Sequence, residues 1–269
     1  MDITELERRG IVLLGCGKMG SALLRGWLDR GLSPGAVRVV DPAPSDWLRG
    51  TGVALDGPLP AAPAVTLIAV KPQMMGAALP ALRDLRDTVF VSVAAGTPIA
   101  AFEAAFGDGA RIVRAMPNTP AAVGAGITAI VGSRSATADD LARAEDLLAA
   151  VGEVVRLHDE AQMDAVTGLS GSGPAYVFHL IEALAAAGEA EGLAPDLALR
   201  LARATVAGAG RLAMTGQSPK TLRENVTSPN GTTQAGLEVL MPALPDLVRR
   251  TVARAAERSR ELRAEAPAP

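Results

Sequence analysis

The chain has 269 residues, 49% of them hydrophobic, and a formal net charge of −3. That is enough apolar material for two packed cores, and the scattered arginines form no basic stripe able to neutralise a run of phosphates, which argues against a nucleic-acid partner. Cys16, the one cysteine, excludes an internal disulfide; Met1 to Gly10 is charged where a secretory signal needs an apolar core; and charge or glycine interrupts every apolar stretch before membrane-spanning length. A cytoplasmic protein with no membrane contact is the expectation.

In chain order, short apolar runs rich in β-branched residues occur at 11–14, 37–40, 66–70, 88–93, 112–115, 127–131 and 154–157, separated by helical patterns. Their near-continuous apolarity fits strands covered on both faces, so the reading is α/β, an N-terminal Rossmann-like doubly wound sheet with mostly parallel strands. After His158 strand signals stop, and helices are predicted at 162–167, 175–191, 195–214, 219–225, 232–240 and 242–264. The expected division is therefore a dinucleotide-binding domain over 1–158 and an all-helical substrate and dimerisation domain over 159–269. Wide Ala, Leu and Val faces in that half imply burial against a second copy. The alternating Ala and Pro of 264–269 predict a disordered end.

Directly after the first strand, Gly15, Gly17 and Gly20 form Gly-x-Gly-x-x-Gly ahead of a helix. Glycines permit the tight turn, the approach of a pyrophosphate and close helix packing, while helix amides face the anion; a purely structural turn is the alternative. Asp41, 21 residues after Gly20, ends the second strand where a carboxylate accepts from the adenosine ribose. That would favour NAD over NADP; alternatively Asp41 with Pro42 starts a turn, and Arg49 or Lys18 could assist a phosphate. Ala69, Val70, Lys71 and Pro72, and then Ala95 and Gly96, fall at expected strand ends, where small residues let a flat cofactor lie. Met116 to Pro120 brackets Asn118 and Thr119 between prolines, suited to positioning a nicotinamide or simply to a stiff turn. In the helical half, 166–176 reads as a Gly/Ser-rich connection, and 222–233 leads hydroxyls and turn residues into a helix. There Gly231 and Thr232 amides could bind a carboxylate, or Ser228 and Thr232 could cap. His158 and His179 show no acid or thiol partner suggesting a relay, and no metal site is expected.

The glycine loop, AVKPQ at 69–73, VAAG at 93–96, RAMPNTP at 114–120, DAVTGLSGSGPAY at 164–176 and NVTSPNGTT at 225–233 occur in the order and spacing of the pyrroline-5-carboxylate reductase family, which the chain resembles over nearly its whole length. The resemblance implies a first domain that binds NADPH or NADH and a helical second domain that interleaves with a partner into a homodimer, in some members assembled into larger rings. It implies reduction of 1-pyrroline-5-carboxylate to L-proline, the last step of proline biosynthesis. Position by position, Gly15, Gly17, Lys18, Met19 and Gly20 would surround the pyrophosphate, and Ala69, Lys71, Pro72, Ala95 and Gly96 would border the path from adenosine ribose to nicotinamide. Gly231 and Thr232 amides would receive the substrate carboxylate, Ser228 would shape that contact, and Thr233 would be the catalytic hydrogen-bond partner of the ring nitrogen. Asn230 departs from the glycine many relatives have, but asparagine tolerates left-handed backbone. Two rivals are weighed. A 3-hydroxyacid dehydrogenase needs a catalytic lysine in the second domain, where only Lys220 occurs; a non-catalytic nucleotide-binding regulator would have no use for the 228–233 loop.

Overall fold

The computed structural model describes residues 3–265. Its elements are α1 (Ile3–Arg9), β1 (Ile11–Leu14), α2 (Lys18–Asp29), β2 (Val37–Val40), α3 (Asp46–Arg49), β3 (Ala54–Leu55), β4 (Val65–Ile68), α4 (Met75–Ala78), β5 (Val89–Ser92), α5 (Ile99–Phe106), β6 (Arg111–Met116), β7 (Gly126–Gly132), α6 (Ala138–Leu148), β8 (Gly152–Arg156), α7 (Met163–Val166), α8 (Gly173–Ala190), α9 (Pro195–Ala213), α10 (Pro219–Asn225) and α11 (Thr232–Glu265).

The strands form one sheet in the order β3-β2-β1-β4-β5-β6-β7-β8, parallel throughout except for the β6–β7 pair. Side chains alternate across a strand, so each strand feeds two cores. Ile11, Leu13, Val65, Leu67, Val89 and Val91 pack with Leu23, Trp27 and Leu147 on one side, and Val12, Leu14, Ile68 and Phe90 pack with Met75, Leu82 and Phe102 on the other. This is why the runs are continuously apolar. Fully buried Trp27 also finds a partner for its indole N–H, the Leu147 carbonyl at 2.9 Å, tying α2 to α6.

The described chain divides into two compact units, one running to Gly171 and resuming at Ala255, the other Ser172–Arg254. The sheet unit thus extends past the boundary expected at 158. Met163 is fully buried in the second core, Asp164 Oδ1 accepts from the Ser259 hydroxyl at 2.8 Å, and Arg263 pairs with Asp164 at 3.1 Å, so α7 and the end of α11 belong with the sheet. Within the helical unit, α8 and α9 meet through small residues: Ala185, Ala198 and Ala202 are buried, and a β-carbon on Gly188 would lie 3.3 Å from the Ala198 β-carbon. Its other faces leave Phe178, Leu184, Leu197, Leu201, Val239 and Leu247 exposed in this chain.

Three elements differ from the sequence expectation. Helices predicted at 232–240 and 242–264 are one helix, α11, running through Pro242 and Pro245. Each proline removes one N–H and crowds the preceding turn, yet 34 residues of helix keep enough bonds to continue. Ala264 and Glu265 form the last turn of α11, and the remainder of the expected disordered end lies outside the described residues. The two-residue strand β3 and the short charged helix α1 were not anticipated.

Candidate active site

The sheet reverses its strand order between β1 and β4, the switch point at which parallel α/β sheets take ligands at their carboxyl ends. The glycine loop leaves β1 at this point. Gly15 has φ +86°, and a β-carbon there would lie 2.8 Å from Val70 Cγ1 and 3.1 Å from the Ala69 carbonyl. A β-carbon on Gly20 would run into the Gly15 carbonyl oxygen, whereas one on Gly17 would meet nothing within 4 Å. Gly15 therefore serves the turn and Gly20 the close approach of α2, while Gly17 borders open space at the N-cap of α2, where amide donors and the positive helix end attract an anion. Met19 is half-buried against the first core, and Lys18 projects into solvent.

The neighbouring strand ends lie alongside. The Ala69 amide donates to the Leu14 carbonyl at 2.8 Å and the Val93 amide to the Ile68 carbonyl at 3.0 Å, so 69–72 and 93–96 leave the sheet edge beside the loop. Val70 is buried; Lys71 is exposed ahead of the Pro72 turn; and Gly96, at φ +75°, follows the exposed Ala95. Asp41 does form the turn, its Oδ1 accepting from the Ala43 amide at 2.8 Å, and Oδ2 also accepts from the Cys16 amide at 2.6 Å. Burial pushes the Cys16 thiol pKa up, an effect partly offset by the Ser21 hydroxyl at 3.5 Å and reinforced by the charge of Asp41.

Asn118 is buried, with its carboxamide divided between the Ile127 amide at 3.0 Å and the Ser170 carbonyl at 3.1 Å. Its side chain ties the Met116–Pro120 segment to the 167–171 turn. That turn is π-helical, a wide geometry common at functional sites, and a β-carbon on Gly171 would press on Met116 Cε at 2.7 Å. Beneath it, buried Arg114 pairs with Glu160 at 2.6 Å, and the same carboxylate oxygen accepts the first amide of α5, Ile99, at 2.9 Å. Neither this brace nor the Asn118 strut is evident from sequence spacing, because the partners lie 46 and 52 residues apart.

In the helical unit, Ser228 to Gly231 makes a tight turn into α11. The Gly231 amide donates to the Ser228 carbonyl at 3.0 Å, and a β-carbon on Gly231 would collide with Ser228 Oγ. The Gly231 amide, expected to receive a carboxylate, is thus bonded within the turn in this chain. The first bond within the helix runs from the Ala235 amide to the Gly231 carbonyl, so the amides of Thr232 and Thr233 precede the ladder and point out of the helix end. Asn230 takes φ +59°, and its amide is held by Gln234 Oε1 at 2.9 Å. Gln234 was missed, although a Gln in the first turn reaching back to a preceding amide is a known capping pattern. Lys220 lies on the exposed surface of α10, 3.9 Å from Glu224, an ordinary helical ion pair.

One cleft of about 390 Å³, lined by Arg83, Arg86, Asp87, Phe90, Phe106 and Arg111 among others, lies at the amino-terminal ends of β5 and β6, the end opposite the glycine loop. Among the described residues, no helix is long and apolar enough to cross a membrane.

A glycine loop at the switch point of a doubly wound sheet, followed by a helical region, defines the class: a nicotinamide-dinucleotide oxidoreductase of the two-part type. Residues 10–96 match the family model described as NADP oxidoreductase, coenzyme F420-dependent, and residues 160–262 match pyrroline-5-carboxylate reductase dimerisation. The pyrroline-5-carboxylate reductase of Methanosarcina acetivorans is 38% identical over 268 residues, covering 96% of this chain and 99% of that protein. Among solved structures, a pyrroline-5-carboxylate reductase from Coxiella burnetii superposes with a TM-score of 0.90 at 34% identity, covering 94% of this chain and 98% of that one. The Plasmodium falciparum pyrroline carboxylate reductase with NADP bound gives 0.82 at 28% identity, over 96% and 99%. The chain belongs to the pyrroline-5-carboxylate reductase family.

Proposed function

We propose that this chain reduces 1-pyrroline-5-carboxylate to L-proline with NADPH or NADH. The observation that carries the reading is family membership across the whole chain, 38% identity over 99% of a curated reductase. It is supported by a glycine loop in which Gly15 and Gly20 meet distinct steric needs and Gly17 leaves open space at the start of α2.

A reduced nicotinamide dinucleotide held with its pyrophosphate at the loop would supply a hydride to C5 of the C=N bond. The chain's own residues bind and orient. Gly17 lets the pyrophosphate reach the α2 amides, and Lys18 and Lys71 add positive charge beside it. Val70, Ala95 and Gly96 keep the strand ends low enough for a flat ring, and Pro72 fixes the chain direction there. Asn118 holds the shape of its segment through its bonds to Ile127 and Ser170. The amides of Thr232 and Thr233, at the positive end of α11, hold the substrate carboxylate, and Ser228 with Gly231 sets the turn that presents them. The Thr233 hydroxyl accepts the N–H of the protonated imine, the form in which C5 is most electrophilic. Rate enhancement then comes from proximity and orientation, without an activated nucleophile.

The exposed apolar faces of α8, α9 and α11 pair two copies as a homodimer, which can close into a larger ring of dimers. The compartment is the cytoplasm and the pathway proline biosynthesis. The test is cofactor absorbance with purified chain and pyrroline-5-carboxylate, using a 3-keto acid as control and amino-acid analysis for proline. Imine-dependent oxidation with stoichiometric proline supports the reading; cofactor binding without turnover defeats it.

A further inference from the structure

The end of β2 is bonded to the glycine loop twice. Gly15 donates its amide to the Val40 carbonyl at 2.8 Å, and one residue on, Asp41 Oδ2 accepts the Cys16 amide at 2.6 Å while Oδ1 accepts the Ala43 amide at 2.8 Å. The carboxylate cannot swing aside without freeing the Cys16 amide, so its charge is fixed beside the loop. An ionised carboxylate only accepts, and with one bond on each oxygen it retains acceptor capacity. In doubly wound sheets the adenosine ribose meets an acid about 20 residues past the loop, and Asp41 lies 21 past Gly20. A ribose diol supplies the donors this carboxylate lacks. A 2′-phosphate brings a charge of about −1.5 to −2 and only acceptors. The adjoining segment Asp41 to Leu48 holds a second carboxylate, Asp46, and no lysine or arginine, and the next cation along the chain, Arg49, ends α3 with its side chain exposed. Both recorded bonds of Asp41 are to backbone amides rather than to a cation. Arg25 is stacked 4.6 Å over the Trp47 ring.

We propose that Asp41 sets the cofactor choice of this chain, selecting the dinucleotide with a free adenosine 2′-hydroxyl over its 2′-phosphorylated form, while the same carboxylate holds the glycine loop in shape. The proposal rests on the functional reading above only as far as dinucleotide binding at the loop. It sets this chain apart from the Plasmodium falciparum relative, whose structure has NADP bound.

The test is titration of the whole protein with NADH and with NADPH, without imino acid, followed by cofactor fluorescence. NADH is expected to bind about 30-fold more tightly, a difference of about 2 kcal/mol. Asp41→Asn keeps an acceptor for the Ala43 amide and removes the charge, so the ratio should fall to within about threefold. Asp41→Ala should weaken both cofactors together and lower the unfolding temperature, because the Cys16 and Ala43 amides both lose their acceptor. Equal affinities in the native protein, a preference for NADPH, or an unchanged ratio in folded Asp41→Asn would overturn the proposal. If that variant does not fold, competition on the native protein decides: adenosine 5′-monophosphate should displace NADH at much lower concentration than adenosine 2′,5′-bisphosphate, and equal displacement counts against the idea. Selective NADH binding without imine turnover would defeat the reductase reading and leave this one standing; binding of neither cofactor overturns both.

Discussion

Asn118 and Ser170, 52 residues apart in sequence, are joined by a side-chain amide to carbonyl hydrogen bond of 3.1 Å, and the other end of the same carboxamide accepts the Ile127 amide at 3.0 Å. One buried side chain therefore fixes three segments: the turn after β6, the start of β7 and the π-helical turn before α8. Asn118→Ala strands a buried donor and a buried acceptor and should cost about 1–3 kcal/mol of stability, read by urea denaturation. Asn118→Asp keeps the acceptor for Ile127 but turns a carboxylate oxygen toward the Ser170 carbonyl, so it should cost at least as much; a near-neutral Asn118→Asp would show that the Ser170 bond contributes nothing.

The glycine loop separates two effects that a single substitution would confuse. A β-carbon at Gly20 runs into the Gly15 carbonyl, so Gly20→Ala should lower stability by about 1–3 kcal/mol. Gly17 has φ −69° and open space around it, so Gly17→Ala should leave stability within about 0.5 kcal/mol. Its methyl nevertheless stands where a pyrophosphate must approach, and NADH affinity should drop about tenfold or more, at least 1.4 kcal/mol. Thermal unfolding alongside cofactor titration checks both; an unaltered affinity in Gly17→Ala would remove the pyrophosphate from this part of the loop.

Glu160 braces Arg114 and the first amide of α5 through one oxygen. Removing it leaves a nearly buried guanidinium without its counter-charge, and Glu160→Ala should destabilise by about 3–5 kcal/mol. Glu160→Gln retains an acceptor and should cost distinctly less. Chemical denaturation of both variants gives the comparison, and equal costs would show that charge opposite Arg114, not hydrogen bonding to Ile99, is what Glu160 supplies.

Cys16 provides a pH signature. Burial raises its thiol pKa in the folded state, so between the unfolded value of about 8.5 and the folded one the native chain holds a proton that the unfolded chain has released. The corresponding stability is fully present below the unfolded pKa and is lost as pH rises through the folded one. Alkaline denaturation should therefore show a decline that is smaller in Cys16→Ala, and alkylation of native Cys16 at neutral pH should be slow relative to a free thiol. Rapid alkylation of the folded chain would contradict the assigned burial.

Much of the sheet is legible in the sequence because a strand covered on both faces must be apolar at every position, and 11–14 and 37–40 match the observed β1 and β2. The same physics hides β3: two half-buried residues, Ala54 and Leu55, are too few to show a period. α11 was divided at Pro242 because proline normally ends a helix, and the neighbouring helical turns that carry it through cannot be read locally. The three glycines were legible because their spacing between a strand and a helix is local, Gly15 and Gly20 meeting steric needs of the turn and Gly17 leaving the helix end open. The Asn118 strut, the Glu160 brace and the Asp164–Ser259 bond were not, since they join residues distant in sequence and depend on the assembled fold. The fate of the Gly231 amide was also invisible: a helix N-terminus advertises free donors, but only the geometry of the Ser228 turn shows which one has been used.

That distinction sharpens the expectation for Thr233. Its amide stands at the free end of α11, so replacing the side chain leaves a carboxylate-binding donor in place and removes only the hydroxyl. Thr233→Ala should therefore lower kcat for imine reduction about 10- to 100-fold, as expected for one hydrogen bond of about 1.4–2.8 kcal/mol made to the reacting nitrogen. NADH affinity should be unchanged, and KM for the imino acid should rise much less than kcat falls. Thr233→Ser restores a hydroxyl at the same atom and should recover most of the loss. Steady-state kinetics with cofactor titration separates the outcomes. A large rise in KM with kcat intact would make Thr233 a carboxylate contact alone, and native turnover in Thr233→Ala would take it out of the reaction altogether.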